Sequence, residues 1–254
     1  MPSLTFKEAK QRVGTPGISA SLAAAGGFLD GFTYVGHGHV FANAMTGNVV
    51  LLGINCLSGS WHTAFRHVPA ILAFLGGVCV SDAMQLHPRR RGVSAPYIAV
   101  LVLEIAMLTS LSLLPAKAAD ILFTTGIAFA ASVQVQTFRE VGGHSFSSTF
   151  TTGNLRTLTE AAFAWFFEGH SPEKARVVRD FSWICIAFLV GATAGGYATQ
   201  TVGNAALWCD IFLLVLIATG VRSRLRLTPA VPVPQEPADD RVNEVSSATS
   251  AKSA

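Results

Sequence analysis

An internal duplication restricts the folds that this chain can adopt. The segment HVFANAMTGNVVLLG, residues 39–53, returns as SFSSTFTTGNLRTLT, residues 145–159, at an offset of 106. The tripeptide Thr-Gly-Asn occurs in both copies, and the same offset aligns Glu104 with Asp210. Two copies of a unit of about a hundred residues predict two structurally related halves.

The composition is typical of a membrane protein. Half of the residues are apolar and only 13% are charged, whereas a soluble domain usually carries about a quarter charged residues. The net charge of +3 is too small to indicate a nucleic-acid partner. The predicted partners are therefore the lipid bilayer and an unknown small solute, with no nucleic acid.

Six apolar runs are long enough to cross a hydrocarbon core of roughly 30 Å. They are residues 18–36, 68–86, 96–114, 119–137, 181–202 and 203–221. With six spans, 16 of the 18 basic residues lie on the same side as the N-terminus. If both Thr-Gly-Asn segments were full spans, making eight, the arginine cluster at residues 89–91 would move to the other side. The positive-inside rule favours six spans and assigns the side of the N-terminus to the cytoplasm, so both termini are predicted to be cytoplasmic.

The predicted fold is all-α, a polytopic membrane helical bundle built from two inverted three-helix repeats. Three spans per half is an odd number, so the two halves must face opposite ways. The first repeat covers residues 17–114 and the second covers 115–226, after a cytoplasmic N-terminal segment, residues 1–16. Residues 227–254 are rich in Pro, Ser and Ala and are predicted to be a disordered cytoplasmic tail.

Several of these residues carry a family resemblance. Leu29-Asp30, the segment Val40–Asn43 and the two Thr-Gly-Asn tripeptides resemble the YoaK family of small bacterial membrane proteins. The resemblance covers residues 17–222 and implies a multi-spanning protein of unknown biochemical role, which we expect in the bacterial inner (plasma) membrane. It implies no catalytic residue, cofactor or substrate.

The two tripeptides each precede a helical pattern that is too short to cross a bilayer, residues 49–57 and 155–167. We predict that each is a re-entrant half-helix, since Thr or Asn can satisfy backbone N–H groups at a helix start and Gly permits a tight turn. Two such helices would bring two N-termini, each with partial positive charge, near the midplane. The predicted pathway residues are Thr46, Gly47, Asn48, Thr152, Gly153 and Asn154. The alternative is that both turns are packing devices, with the asparagines capping helices or bonding to neighbouring spans.

Polar residues within the apolar runs are the second candidate group. Asp30, Glu104 and Asp210 lie inside predicted spans, and Gln136 occupies the position equivalent to Asp30. An ionisable group at membrane depth costs about 2.5–3.5 kcal/mol or more, so it normally faces the protein interior or water. These residues are predicted to be buried polar or proton-binding groups. The alternatives are neutral carboxyls hydrogen-bonded between helices, or an ion pair of Asp30 with Arg139.

No cofactor, metal site or catalytic residue is predicted. The four cysteines stand singly in apolar segments, and His37, His39 and His144 are expected in loops without converging ligands. The glycines at 76–77, 191 and 195–196 are interpreted as sites of close helix contact. Sequence motifs of phosphate-binding loops, nucleophile elbows and zinc proteases are absent, so the chain is predicted not to be an enzyme.

The resulting functional prediction is a small-solute transporter or channel. The helix N-termini would suit an anion or a carbonyl-bearing solute, whereas the carboxyls would suit protons or a cation. Six spans make a small bundle, which would suit a homodimer. The alternatives are a membrane enzyme acting on a lipid or quinone, and a structural or signalling membrane protein that transports nothing.

Overall fold

A computed structural model describes residues 6–85, 95–115, 118–149 and 151–226. The arginine cluster at residues 89–91 and the predicted tail at residues 227–254 lie outside the described residues.

The described chain is almost entirely helical, and the all-α prediction is confirmed. The helices are α1 (Phe6–Val13), α2 (Pro16–Gly36), α3 (Met45–Leu57), α4 (Trp61–Phe65), α5 (His67–Gln85), α6 (Ala95–Ser112), α7 (Asp120–Thr137), α8 (Thr151–Phe167), α9 (Pro172–Val202) and α10 (Leu207–Arg226). A small antiparallel hairpin pairs β1 (Glu140–Val141) with β2 (His144–Ser145) after α7. A 3-10 turn at Gly203–Ala206 joins α9 to α10.

Helices occupy all six predicted spans, with differences at two of them. Helix α9 begins nine residues before the predicted start at Phe181, because Ser171 caps it and Pro172 suits the first position of a helix. The Ser171 hydroxyl accepts a hydrogen bond from the Lys174 N–H at 3.2 Å. Residues 203–206, predicted to open the sixth span, form the turn instead, and Gly203 takes a φ of +58° there.

The N-terminal segment contains a helix that the sequence analysis did not predict. Helix α1 buries Ala9 and Val13 and packs on α10 and on β1. Lys10 forms an ion pair with Glu140, with 2.5 Å between Nζ and Oε1. The segment is therefore attached to the bundle.

The long helices are exchanged between the two halves. Under the duplication α2 corresponds to α7, and α5 corresponds to α9 through the shared Ala-Phe-Leu at residues 73–75 and 187–189. The most extensive contacts join α2 to α9 and α5 to α7. In the same way, α10 of the second half packs on α2 of the first, and α6 of the first half packs on α7 of the second. Helices α6 and α10 also pack on each other. The two halves are thus interleaved.

Glycines allow the closest of these contacts, between α2 and α9. A Cβ atom at Gly27 or Gly31 would overlap carbonyl oxygens of α9, and one at Gly191 or Gly195 would overlap carbonyl oxygens of α2. Both pairs have the four-residue spacing that lets two helix backbones approach each other. The prediction of close helix contact at Gly191 and Gly195 is confirmed.

Two stretches of described helix are long and apolar enough to cross a membrane. They are Trp61–Met84 and Pro172–Arg226, and Met45–Leu57 and Pro96–Ser112 are shorter apolar helices. Helices α2 and α7 carry buried polar residues, among them Asp30 and Gln134, respectively. The apolar helices are compatible with a membrane helical bundle.

Candidate functional site

The loop after α2 turns back and runs along that helix. The Ala42 N–H donates to Thr33 Oγ1 at 3.1 Å, and the Asn43 N–H donates to Asp30 Oδ1 at 2.7 Å. The Asn43 side-chain amide reaches the Gly26 carbonyl at 3.0 Å. At 1.5 Å per residue, Gly26 lies about 15 Å from the end of α2 at Gly36. Helix α3 therefore begins beside the middle of α2.

The loop before α8 reaches the same place from the other half. The Ser148 hydroxyl donates to Gln134 Oε1 at 3.2 Å. A Cβ atom at Gly26 would lie only 2.6 Å from the Ser148 carbonyl oxygen and 3.3 Å from the Thr149 methyl group. The two loops thus converge on Gly26. We call the group Gly26, Asp30, Asn43, Gln134 and Ser148 the meeting point.

Asn48 and Asn154 hold the loops by identical pairs of hydrogen bonds. Asn48 Oδ1 accepts from the Phe41 N–H at 2.9 Å, and its Nδ2 donates to the Phe41 carbonyl at 2.7 Å. Asn154 makes the same two bonds to Ser147, at 3.2 Å and 2.7 Å. Asn48 Oδ1 also lies 3.2 Å from His67 Nδ1. These contacts agree with the packing alternative, in which each asparagine fixes a turn; a pathway-lining role for either residue stays a prediction.

The other residues of the tripeptides face away from the meeting point. Helix α3 begins at Met45 and α8 at Thr151, so each tripeptide forms part of the first helical turn rather than a turn before it. Thr46, Thr152 and Gly153 are exposed, and Gly47 is half-buried against the Phe41 ring. Just before α3, the Asp30 carboxylate accepts hydrogen bonds from the N–H groups of Asn43 and Ala44, whereas Thr or Asn of the tripeptide was expected to satisfy the helix start.

The acids at equivalent positions, Glu104 and Asp210, lie on the contacting helices α6 and α10. Glu104 Oε2 accepts from Gln134 Nε2 at 2.7 Å, which links it to Ser148 of the meeting point. Asp210 is 1% exposed, and neither of its carboxyl oxygens has a hydrogen-bond partner among the described residues. Glu104 acts on Asp210 electrostatically. Two carboxyls in such a site repel each other when both are ionised, so the pair is suited to hold a proton.

Gln136 is not buried as predicted, and Asp30 does not form the ion pair offered as an alternative. Gln136 donates to Asp82 at 2.6 Å, away from the meeting point, and Gln134 takes the buried position instead. Asp30 accepts hydrogen bonds from the backbone N–H groups of Asn43 and Ala44 rather than pairing with Arg139. Gln134 lies two residues before Gln136, on a different face of the same helix, and so was the other glutamine that the sequence offered for the buried position.

The loop histidines differ in their surroundings. His37 is 5% exposed, stacks on Phe123 and has its Nδ1 atom 3.1 Å from Asp120 Oδ1. Burial lowers the pKa of His37, and the hydrogen bond to Asp120 opposes that change. His39 and His144 are exposed. Within the described ranges, no three His, Cys, Asp or Glu side chains converge as a metal site would require.

Comparison with known proteins identifies relatives over most of the chain. The family described as "Protein of unknown function (DUF1275)" matches residues 18–220. The "UPF0700 transmembrane protein YoaK" of Bacillus subtilis (strain 168) is 25% identical over 210 residues, which cover 80% of this chain and 92% of that protein. No solved structure matches the chain.

Proposed function

This chain belongs to the DUF1275 family, a family of membrane proteins without an assigned role, and we propose that it is a small-solute transporter or channel. The observation that carries the proposal is the meeting point itself, where loops that lead into α3 and α8 converge beside the middle of α2. Broken helices that end inside a membrane are tolerated where protein encloses them or a water-filled cavity runs past them, and transporters bind solutes at such ends.

The proposed topology has six spans in two inverted three-helix repeats. The cytoplasmic placement of both termini in the bacterial inner membrane is supported by the distribution of basic residues. The exchanged packing of α2 on α9 and α7 on α5 is the relation expected of two halves about a pseudo-two-fold axis. Helices α3 and α8 would be the two re-entrant half-helices. Helix α3, with 13 residues, is shorter than a spanning helix, and α8, with 17 residues, is at the lower limit of spanning length.

Glu104 and Asp210 are the proposed proton-binding pair. They are equivalent residues of the two repeats, and Gln134 connects Glu104 to the loop before α8. A proton that enters or leaves the pair would change the hydrogen bonding of Gln134 and, through it, the position of Ser148. Asp30 has a different proposed role, which is to hold the start of α3. The lipid bilayer, an unknown small solute and a second copy of the chain remain the proposed partners.

Cysteine labelling from each side of the membrane tests the proposal. Ala42 and Ser148 are equivalent under the duplication, and both are 0% exposed beside the meeting point. In a variant without the four native cysteines, Ala42→Cys and Ser148→Cys would be treated with a small membrane-impermeant thiol reagent in right-side-out and inside-out vesicles. Leu57→Cys, at a side chain that is 91% exposed, serves as a one-sided control.

The transport proposal predicts that both cysteines react from both sides, or that the reactive side changes with pH. Strictly one-sided reaction at each site, unaffected by pH, would contradict a shared path. Protection of both sites from both sides at every pH would also contradict it. The Asn48 and Asn154 hydrogen bonds would then favour the second candidate, a structural or signalling membrane protein whose paired turns serve packing alone.

A further inference from the structure

A separate cavity lies at the end of α2 that is remote from α1. It has a volume of about 260 Å³, and its charged and titratable lining residues are His37, His62, Arg66 and Asp120. Cavities for drug-sized ligands measure roughly 300–1,000 Å³, so this one suits a smaller molecule. In the proposed topology it opens on the extracytoplasmic side.

Two opposite charges line this cavity without neutralising each other. A Cβ atom at Gly38 would lie 3.6 Å from Arg66 Nη1 and 3.6 Å from Asp120 Oδ2. The two groups therefore flank the same small space, which Gly38 leaves open. No described residue forms an ion pair with Arg66. Asp120 Oδ1 lies 3.1 Å from His37 Nδ1, a contact that is an ion pair only when His37 is protonated. Arg66 and Asp120 Oδ2 are thus both available to a ligand.

The two charges are held differently. His37 is buried against Phe123 and contacts Asp120 Oδ1, which orients the half-exposed Asp120 carboxyl, whereas the Arg66 side chain is exposed and can adjust to a ligand. Gly38 has a φ of +74°, a conformation that favours glycine. Val40, Ala119 and Ile121 complete the wall with apolar surface.

From this arrangement we propose that the cavity binds a zwitterionic α-amino acid. The carboxylate of the ligand would accept hydrogen bonds from the Arg66 guanidinium, which suits carboxylates geometrically. The ammonium group would donate to Asp120 Oδ2, and the side chain would contact Val40 and Ile121. A simple anion would be repelled by Asp120, and a simple cation would be repelled by Arg66. This inference deepens the proposed transport function by naming a solute class, but the binding itself does not require transport.

Thermal stabilisation of the purified full-length protein in detergent tests the inference. The probes are the twenty common α-amino acids, each added separately at pH 7.5, together with acetate and methylammonium. A ligand that binds only the folded state stabilises it by RT ln(1 + [L]/Kd) and so raises the melting temperature increasingly as its concentration exceeds Kd. We expect stabilisation by at least one amino acid and by neither single-charge probe.

Two neutral substitutions and one control identify the site. Arg66→Gln and Asp120→Asn should each weaken binding about tenfold to a hundredfold, because each removes one charge-assisted contact. His62→Gln alters a lining residue that the proposal does not use and should leave affinity within about threefold of the original, a change of under about 0.7 kcal/mol. No shift with any amino acid would overturn the inference. So would equal stabilisation by acetate, or unchanged affinity in Arg66→Gln.

This outcome is distinguishable from failure of the transport proposal. Amino-acid binding together with protected cysteines at residues 42 and 148 would retain the binding site and discard transport. Accessible cysteines without amino-acid binding would retain the path and discard the solute class.

Discussion

Replacing Gly191 with alanine tests how closely α2 and α9 pack. A Cβ atom at Gly191 would overlap the Ala24 carbonyl oxygen and would lie 2.8 Å from the Ala24 carbonyl carbon and 2.9 Å from its Cα. Ordinary carbon contacts are about 3.5–4.0 Å. The two helix backbones would have to separate, because all three obstructing atoms belong to the backbone of α2.

The expected loss of stability follows from two opposing effects. Overpacking of a closely packed contact costs about 1–3 kcal/mol. Alanine recovers about 0.5–1 kcal/mol through its better helix propensity. We expect Gly191→Ala to lower the free energy of unfolding by about 1–2 kcal/mol, since α2 and α9 form the most extensive helix pair.

The matched control is Gly220→Ala in α10, where an added Cβ would meet nothing within 4 Å. It retains the gain in helix propensity without the overlap, so it should raise stability by about 0.5–1 kcal/mol. Both variants would be unfolded reversibly by sodium dodecyl sulfate in mixed micelles and followed by circular dichroism. The reasoning would be refuted if Gly191→Ala were as stable as the original protein or more stable than Gly220→Ala.

Three further predictions follow from the buried polar groups. Asn48→Ala leaves the Phe41 N–H and carbonyl unpaired and should lower the free energy of unfolding by about 2–5 kcal/mol. The control Asn55→Ala removes one hydrogen bond to Leu51 and should lower it by under about 1.5 kcal/mol in the same assay, so similar losses would contradict the role of Asn48. His37 has a lowered pKa, so the unfolded chain binds a proton more readily, and stability should fall as the pH falls below about 6.5; a His37→Gln variant with the same pH slope of melting temperature would disprove this. Asp210→Asn should raise stability by roughly 1 kcal/mol or more, because the neutral amide avoids the cost of neutralising a carboxyl, or burying it as a charge, where no described residue is its hydrogen-bond partner. A lower melting temperature would contradict this prediction.

The sequence predicted the long helices because their apolar runs reflect the length of a membrane span. The positions of the helix ends were less predictable where a capping residue determines them. Ser171 and Pro172 start α9 within a polar stretch that hydropathy alone assigns to a loop. Helix α1 escaped prediction because its stability depends on burying Ala9 and Val13 against other elements.

The candidate site was predictable in its residues but not in its hydrogen bonds. The offset of 106 predicts that Asn48 is equivalent to Asn154 and Glu104 to Asp210, and the two asparagines do make matching pairs of hydrogen bonds. It also aligns Gln136 with Asp30, whereas Gln134 is the buried glutamine and donates to Glu104. The two copies of a repeat can bury different side chains at equivalent places, and which side chain is buried depends on the packing of neighbouring helices. The placement of Arg66 and Asp120 on either side of Gly38 depends on contacts between distant segments, for which the sequence offers no periodic signal.

The exchanged packing of α2 and α9 has a consequence for how the protein is made. During synthesis α2 leaves the ribosome early, but the glycines that accommodate it lie in α9, near the end of the described chain. At ~5–20 residues per second, the partner helix follows roughly 10–30 s later. Throughout that interval the glycine face of α2 has no α9 to cover it, whereas the hydrogen-bond partners of Asp30, the N–H groups of Asn43 and Ala44, are made soon after α2. Assembly of this bundle therefore finishes only when the second half has been inserted, and neither half is a folding unit on its own.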